Sequence, residues 1–453
     1  MGKTLVIIES AGKLKKMKSI LGDKYEVMAS FGHIIDLKGG NGLSVDVENN
    51  FEPQYDIIQS PKKGNFKSKG QIVKELKEAA KKSSDIILAT DEDREGEMIA
   101  WSLAYILGLK DPKRVTFNSI TKNAVLKAVK SPRKIDYNMV DAQKARRILD
   151  RIVGFEISPL LWNTIKGSKS AGRVQSVVVR LIVDKENEII DFFKQDAETY
   201  FKFNGLFTDK KNDLKAVLYS SNIEESDEEE SDEEESDEEE SDEEESDEEE
   251  SDEEDSGEED SDEEDSDDEE SHNQKGTIAK IKTEKQAREI MKKMTESKYK
   301  IVKITEKEST RNPSAPFITS TLQQEAANKF GFSVKRTMTS AQILYEAGYI
   351  TYMRTDSVNL SAEAMENIKK YINETYGEKY FRSFNYKSKS KNSQEAHEAI
   401  RPTDAYTDEI TANGKIGADE IKLYELIWKR TIASQMSPAK YNVAEIIIEI
   451  SKL

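Results

Sequence analysis

The chain has 453 residues, no cysteine and a formal net charge of −20. That length exceeds one ordinary core, so several domains are expected. The missing cysteines exclude disulfides, thiolate-held zinc and thiol catalysis.

The charge is unevenly placed. Residues 224–271 form a serine-punctuated acidic repeat with 37 Asp and Glu and no Lys or Arg. Outside it 51 acidic residues face 68 basic ones, a net charge of +17. A body this basic carries the footprint of a polyanion binder. No apolar run approaches the roughly 20 residues that span a bilayer. "MGKTLVIIES" turns polar too soon for a secretion signal. A soluble, intracellular protein is expected.

In chain order, "KTLVIIES" predicts a buried strand and "AGKLKKMKSIL" a helix. "SDIILATD" predicts a second buried strand, "GEMIAWSLAYIL" a helix, and "KRVTFNSI" a third strand. This alternation points to a parallel sheet with helices on both faces, which collects functional groups at the carboxyl ends of its strands. Glu9 ends one strand and Asp91 another, so two distant acidic motifs can converge. From Tyr137 the pattern is helical, through "AGRVQSVVVRLIVDKENEIIDFF". Residues 200–223 and 276–305 look strand-like on either side of the acidic repeat, which predicts an insertion at a hairpin tip. The repeat cannot bury apolar surface and is expected to be disordered. Residues 312–436 are again mainly helical.

Three stretches carry chemistry. "ATDEDREGE" packs Asp91, Glu92, Asp93, Glu95 and Glu97 around Arg94. In a loop after a strand, Asp91, Asp93 and Glu95 can face one centre and suit Mg²⁺. The alternative is a solvated helix start, where the macrodipole favours acids. In "IIESAGKLKK", Glu9 and Lys13 flank a helix start, where a carboxylate could move a proton and an ammonium bind phosphate. A surface ion pair is the alternative. In "YEAGYITYMRTDSVNLS", an extended chain would put Tyr352, Arg354 and Asp356 on one face. A phenol is a poor nucleophile at neutral pH, but an adjacent guanidinium can stabilise phenolate and grip phosphate. Aromatic core packing is the alternative.

Arg173 and Gln175 in "SAGRVQS" suit phosphate or base contacts. Arg146 and Asp150 lie four apart on a helix, as a surface pair or part of a DNA site. His33 and His397 could each bond a phosphate or serve structure alone, and His272 lies in the acidic tract.

Together, "IIES" with Lys13, "SFGHIIDL", "ATDEDREGE", "LDRIVGFEISPLLW", "SAGRVQS", "GYITYMRTDS" and "EAHEAIRPTD" resemble, in order, the motifs of type IA DNA topoisomerases of the bacterial topoisomerase I kind. The resemblance covers nearly the whole chain outside the acidic repeat. It implies a multidomain α/β plus mainly α fold, with an N-terminal Toprim domain followed by the family's toroidal core. It implies Asp91, Asp93, Glu95 and Glu9 as Mg²⁺ ligands and Tyr352 as the nucleophile that forms a 5′-phosphotyrosine. Arg354 would position it, Lys13 would meet the scissile phosphate and Glu9 would give a proton to the leaving 3′ oxygen. His33, Arg146, Asp150, Arg173, Gln175 and His397 would bind single-stranded DNA. The phosphotyrosine preserves bond energy, so no nucleotide cofactor is expected.

The implied domains are 1–134 (Toprim), 135–200 (helical, DNA-binding), 201–311 (strand-rich hinge), 312–437 (helical, bearing Tyr352) and 438–453 (return to the hinge). The family pattern reads Ser-Pro-Ala-Lys where this chain has "SAGK", so a looser loop is expected around Gly12. Family members continue beyond the strand-like run "YNVAEIIIEI", which predicts an incomplete toroid here. The acidic repeat lies outside the family pattern. It reads as a DNA mimic, a tail for a basic protein partner or acidophilic kinase, or a solvated insertion. Two other functions compete: another Toprim enzyme, such as a primase or nuclease, and a non-catalytic DNA- or histone-binding protein.

Overall fold

The structure is a computed structural model that describes residues 2–40, 42–59, 67–194, 200–208, 211–220, 277–278, 281–386 and 398–453. The first strand, β1 (Thr4–Ile8), is apolar at every position after Thr4 and fully buried there. A 3₁₀ turn at Ala11–Lys13 leads into α1 (Leu14–Leu21), which returns the chain to β2 (Tyr25–Ala29). A short excursion follows, with β3 (Ile35–Leu37), β4 (Val45–Asp46), β5 (Glu52–Pro53) and β6 (Tyr55–Ile57). There β3 pairs antiparallel with β6, and β4 with β5. Helix α2 (Lys69–Lys82) opens on a capping box at Ser68 and Gln71 and leads to β7 (Asp85–Ala89). Next come α3 (Arg94–Leu107), β8 (Lys113–Arg114) and α4 (Lys122–Lys130).

The sheet has the order β2-β1-β7-β8, and every pairing is parallel. Leu5, Ile7 and Leu88 face one core with Ile72 and Leu76 of α2 and Ile99 and Leu103 of α3. Val6, Ile8, Ile87 and Ala89 face the other, with Met17 of α1 and Val125 of α4. Apolar side chains on both faces explain why these strands are continuous apolar runs. Ile8 lies level with Ala89 in the register. Glu9 and the Thr90–Asp91 loop therefore leave the sheet side by side. The expected third strand is only the two residues of β8.

Helix α5 (Tyr137–Ile152) passes through a π-helical turn, Val153–Ile157, into α6 (Ser158–Thr164), and α7 (Arg173–Lys194) follows. The next stretch has β9 (Asn204–Thr208) and β10 (Asp213–Val217), an antiparallel pair. β11 (Tyr219–Ser220) pairs antiparallel with β12 (Thr277–Ile278), so the chain leaves and re-enters at a hairpin on either side of the acidic repeat. The repeat itself lies outside the described residues. Within the expected strand-rich stretch sits a helix, α8 (Glu284–Thr295), capped by Thr283. β13 (Tyr299–Arg311) is followed by α9 (Thr319–Phe330), α10 (Val334–Ala347), α11 (Ala362–Thr375) and α12 (Ala418–Ala433), and β14 (Ala439–Ile450) pairs with β13.

The chain forms two compact units, Met1–Glu186 with Thr305–Ala444, and Asn187–Ile304 with Glu445–Leu453. The parallel sheet and α9–α12 share the first. No described helix is long and apolar enough to cross a membrane.

Candidate active site

The Tyr352 segment is not a strand. α10 ends at Gly348 in the left-handed region (φ 75°), Ile350 makes an isolated bridge with Pro402, and residues 354–360 are irregular. The Tyr352 amide donates to Asn118 O at 2.8 Å, which ties the segment to the sheet. Tyr352 is 6 % exposed, and its hydroxyl donates to Asp93 Oδ2 at 2.6 Å. Burial, then the charges of Asp91 and Asp93, push its pKa far above the ordinary phenol value. The Arg354 guanidinium donates to Glu95 at 2.7 Å and to Asp93 at 3.3 Å. Tyr352 and Arg354 thus do converge, through irregular chain rather than strand periodicity.

On the sheet side, Lys13 is buried, reaches Asp91 Oδ1 and lies 4.8 Å over the Tyr345 ring. The Tyr345 hydroxyl in turn faces Asp91 at 3.5 Å. Glu9 has its pKa raised to about 7, by burial first and then by Asp91. Its Oε2 is buried with no hydrogen-bond partner. His33 lies 3.5 Å from Glu95. That contact, joined by Arg354 and opposed by burial, holds the Glu95 pKa down at about 2.

The acidic run is stable because its carboxylates are separately partnered. Asp91 meets Lys13, Asp93 caps α3 by accepting from Gly96 N–H at 2.7 Å, and Glu95 meets Arg354. Glu97 is fully buried and accepts from Arg114 at 3.0 Å, from both Arg133 Nη atoms at 2.8 and 2.9 Å, and from Asp136 N–H at 2.7 Å. Arg114, also 0 % exposed, further donates to the carbonyls of Thr90 (2.8 Å) and Asp91 (2.5 Å). It fixes the loop that carries the acids. Arg94 lines a groove instead of neutralising the cluster. Among the described residues no three acidic or histidine side chains assemble as a metal-ligand set.

That groove, about 960 Å³, runs beside the centre and is lined by His33, Asp93, Arg94, Arg146, Asp150 and Arg354 among others. Asp150 pairs with Arg173 at 2.9 Å, not with Arg146. Gln175 bonds Ser170 O at 3.1 Å and so closes its own loop. His397 and His272 lie outside the described residues. Sequence reading missed Arg114, Arg133, Tyr345 and Glu346. Arg114, Tyr345 and Glu346 stand in ordinary strand or helix contexts and Arg133 in the loop between α4 and α5, and each acquires its role only from partners far along the chain.

A parallel sheet thus presents acids at its strand ends, and a tyrosine and an arginine from a helical region close over them. A Toprim domain family model matches residues 4–120, and one described as DNA topoisomerase matches residues 134–453. The chain belongs to the DNA topoisomerase family, in its type IA, bacterial-type branch. It is 46 % identical over 453 residues to a mimivirus protein (Acanthamoeba polyphaga mimivirus) named DNA topoisomerase 1 type prokaryotic, covering 99 % of this chain and 47 % of that relative. The chain thus spans about half the length of that relative. It is also similar to full-length topoisomerase I from Thermotoga maritima, with 34 % identity and a TM-score of 0.72, over 99 % of this chain and 66 % of that one.

Proposed function

We propose that this chain is the cleavage core of an enzyme that relaxes negatively supercoiled DNA through transient single-strand breaks. The observation that carries the reading is the Tyr352 phenol bonded to Asp93, 259 residues away in sequence, in one centre with Glu9 and Lys13. Tyr352 Oη attacks a phosphorus of single-stranded DNA, the P–O3′ bond breaks, and a 5′-phosphotyrosine remains. Asp93, 2.6 Å away, accepts the phenol proton. Glu9, whose pKa is raised to about 7, is protonated in about half of the molecules near neutral pH and in that form can give its proton to the leaving 3′ oxygen. Arg354, half exposed toward the groove, and Lys13 offset phosphate charge. The reverse steps reseal the strand, so no nucleotide is consumed.

Asp91, Asp93 and Glu95 are held by Lys13, Tyr352 and Arg354 and do not form a ready ligand set as placed, but with Glu9 their chemistry suits Mg²⁺. They are hard oxygen donors, Glu9 Oε2 is an orphan, and Asp91 and Asp93 both raise the Glu9 pKa, a repulsion that a divalent cation would offset. A Mg²⁺ ion held by these carboxylates would supply electrostatic stabilisation of charge developing on the phosphate. His33, Arg146, Asp150 and Arg173 lie along or next to the groove and are assigned to DNA, with Gln175 and His397 assigned by resemblance.

The test uses negatively supercoiled plasmid with Mg²⁺ and a detergent quench, for wild type and Tyr352→Phe. Relaxation or covalent adducts in wild type, and neither in Tyr352→Phe, are expected. Adducts without relaxation would define a cleavage core that lacks strand passage. DNA binding indifferent to Tyr352 and Mg²⁺, with no adduct, would overturn the reading in favour of a binding protein.

A further inference from the structure

Gly12 is the point where the lysine loop departs from the family pattern, and a looser loop was expected there. The structure shows the opposite. A Cβ on Gly12 would lie 1.6 Å from Glu346 Oε2, so the glycine leaves the space that the Glu346 carboxylate fills. Glu346 Oε1 accepts from Ser10 Oγ at 2.5 Å and from Gln342 Nε2 at 3.0 Å. Ser10 Oγ in turn accepts from Gly12 N–H at 3.0 Å and so caps the 3₁₀ turn that delivers Lys13. Two more bonds tie residues 10–16 to the helical region. Lys16 donates to Ala347 O at 2.5 Å, and Lys415 to Gly12 O at 3.4 Å.

From these contacts we infer that Glu346 is a positioning residue for Lys13, acting through the Ser10 hydroxyl, and that Gly12 serves to admit it. A hydroxyl that donates to a carboxylate becomes a better acceptor, so Glu346 strengthens the Ser10 cap on the Gly12 amide. Glu346 sits near the end of α10, six residues before Tyr352. The tyrosine is buried against Asp93, so a phosphate reaches it only if α10 and the sheet shift relative to each other. When α10 is seated, Glu346 orders the Lys13 turn. When α10 moves, the turn loses its brace. The cationic side of the centre is therefore complete only when the tyrosine-bearing helix is docked. This deepens the proposed cleavage reaction and rests on it for its functional part.

The experiment has two arms, applied to wild type, Glu346→Gln, Glu346→Ala, Gly12→Ala and the Glu346→Ala/Gly12→Ala double variant. The first is hydrogen exchange at residues 10–16, which does not depend on activity. Glu346→Ala and Gly12→Ala are each expected to speed exchange at Gly12 and Lys13, and Glu346→Gln, which still accepts a bond, to stay near wild type. The second is the rate of adduct formation on a single-stranded oligonucleotide, with binding measured separately. Each of the two small-residue variants is expected to lose about tenfold in rate with little change in binding. The double variant should lose no more than either single one, because both act on one contact. Unchanged exchange at Gly12 in Glu346→Ala would overturn the inference, as would rate losses that multiply in the double variant. If wild type forms no Tyr352-dependent adduct, the cleavage reading fails, and the exchange arm still decides whether Glu346 orders the turn.

Discussion

Glu97, the last carboxylate of the acidic run, does structural work. It is fully buried with Arg114, and Arg133 closes over it. Removing one partner of such a pair strands a buried charge, at a cost of about 3–5 kcal/mol. Glu97→Ala should lower the urea unfolding free energy of the unit by that amount. Burial alone would raise the Glu97 pKa, but the Arg133 hydrogen bonds and the Arg114 charge outweigh it and hold the pKa below the ordinary carboxylate value. A carboxyl with a folded pKa below its unfolded one stabilises the fold at neutral pH. That stabilisation fades as pH drops below the unfolded carboxylate pKa and on through the folded one. Urea midpoints between pH 7 and pH 3 should fall more steeply for wild type than for Glu97→Gln, and parallel curves would assign the acid limb to other groups. Glu9→Gln addresses the carboxylate whose Oε2 has no hydrogen-bond partner. With no proton to give, it should slow adduct formation by about 10² or more while DNA binding holds. Glu9, Lys13, Asp93, Tyr352 and Arg354, which the structure brings into one centre, stood out in the sequence because each sits in a short motif. Arg114, Arg133 and Glu346 did not. Nothing beside Arg114 in "KRVTF" announces that its guanidinium will hold the carbonyls of residues 90 and 91.

At the scale of elements, the strands β1 and β7 were readable because burial on both faces demands unbroken apolar runs, whereas two other readings failed. In "YITYMRTD" the shared face depended on an extended chain, yet the chain there is held by single contacts to Asn118 and Pro402 rather than by a ladder. In "EKQAREIMKKMT" the spacing of Ala287, Ile290, Met291 and Met294 suits one helix face, and neighbouring strand patterns obscured it. The junction of β7 and α3 offers a sharp test. A Cβ on Gly96 would lie 2.2 Å from the Asp91 carbonyl oxygen, a backbone atom that cannot swing aside. Gly96→Ala should destabilise by about 1–3 kcal/mol, as overpacking does. It should also lose adduct formation, because the loop between Asp91 and Asp93 must shift. Gly70 in α2 is the contrast, since its Cβ would meet nothing closer than 4.0 Å. Gly70→Ala should raise stability by up to about 1 kcal/mol, through helix propensity and a less flexible unfolded chain. Thermal melts of both variants decide it. Equal shifts would mean that the close approach at Gly96 is relieved elsewhere.

For the whole molecule the governing fact is the division of charge, −20 for the chain and +17 without residues 224–271. Outside that tract, Tyr219–Ser220 pairs with Thr277–Ile278, so its 37 acidic residues can be removed between those two strands without touching another described element. A basic body gains affinity for single strands by releasing counterions, and a tethered polyanion competes for the same surface at high effective concentration. Deleting 224–271 and joining the flanks with a short turn should strengthen single-stranded oligonucleotide binding about tenfold at low salt. The advantage should shrink as salt rises, because screening weakens the competitor and the DNA together. The slope of log affinity against log salt should therefore be steeper for the deletion than for the full chain. Phosphorylation of the tract's serines would add negative charge and push binding the other way. Matching affinities and slopes for the two chains would remove the tract from the DNA-binding equilibrium and leave it as a solvated insertion or a site for a basic protein. In that case the +17 body would bind DNA as though the repeat were absent, even though the full chain is acidic overall.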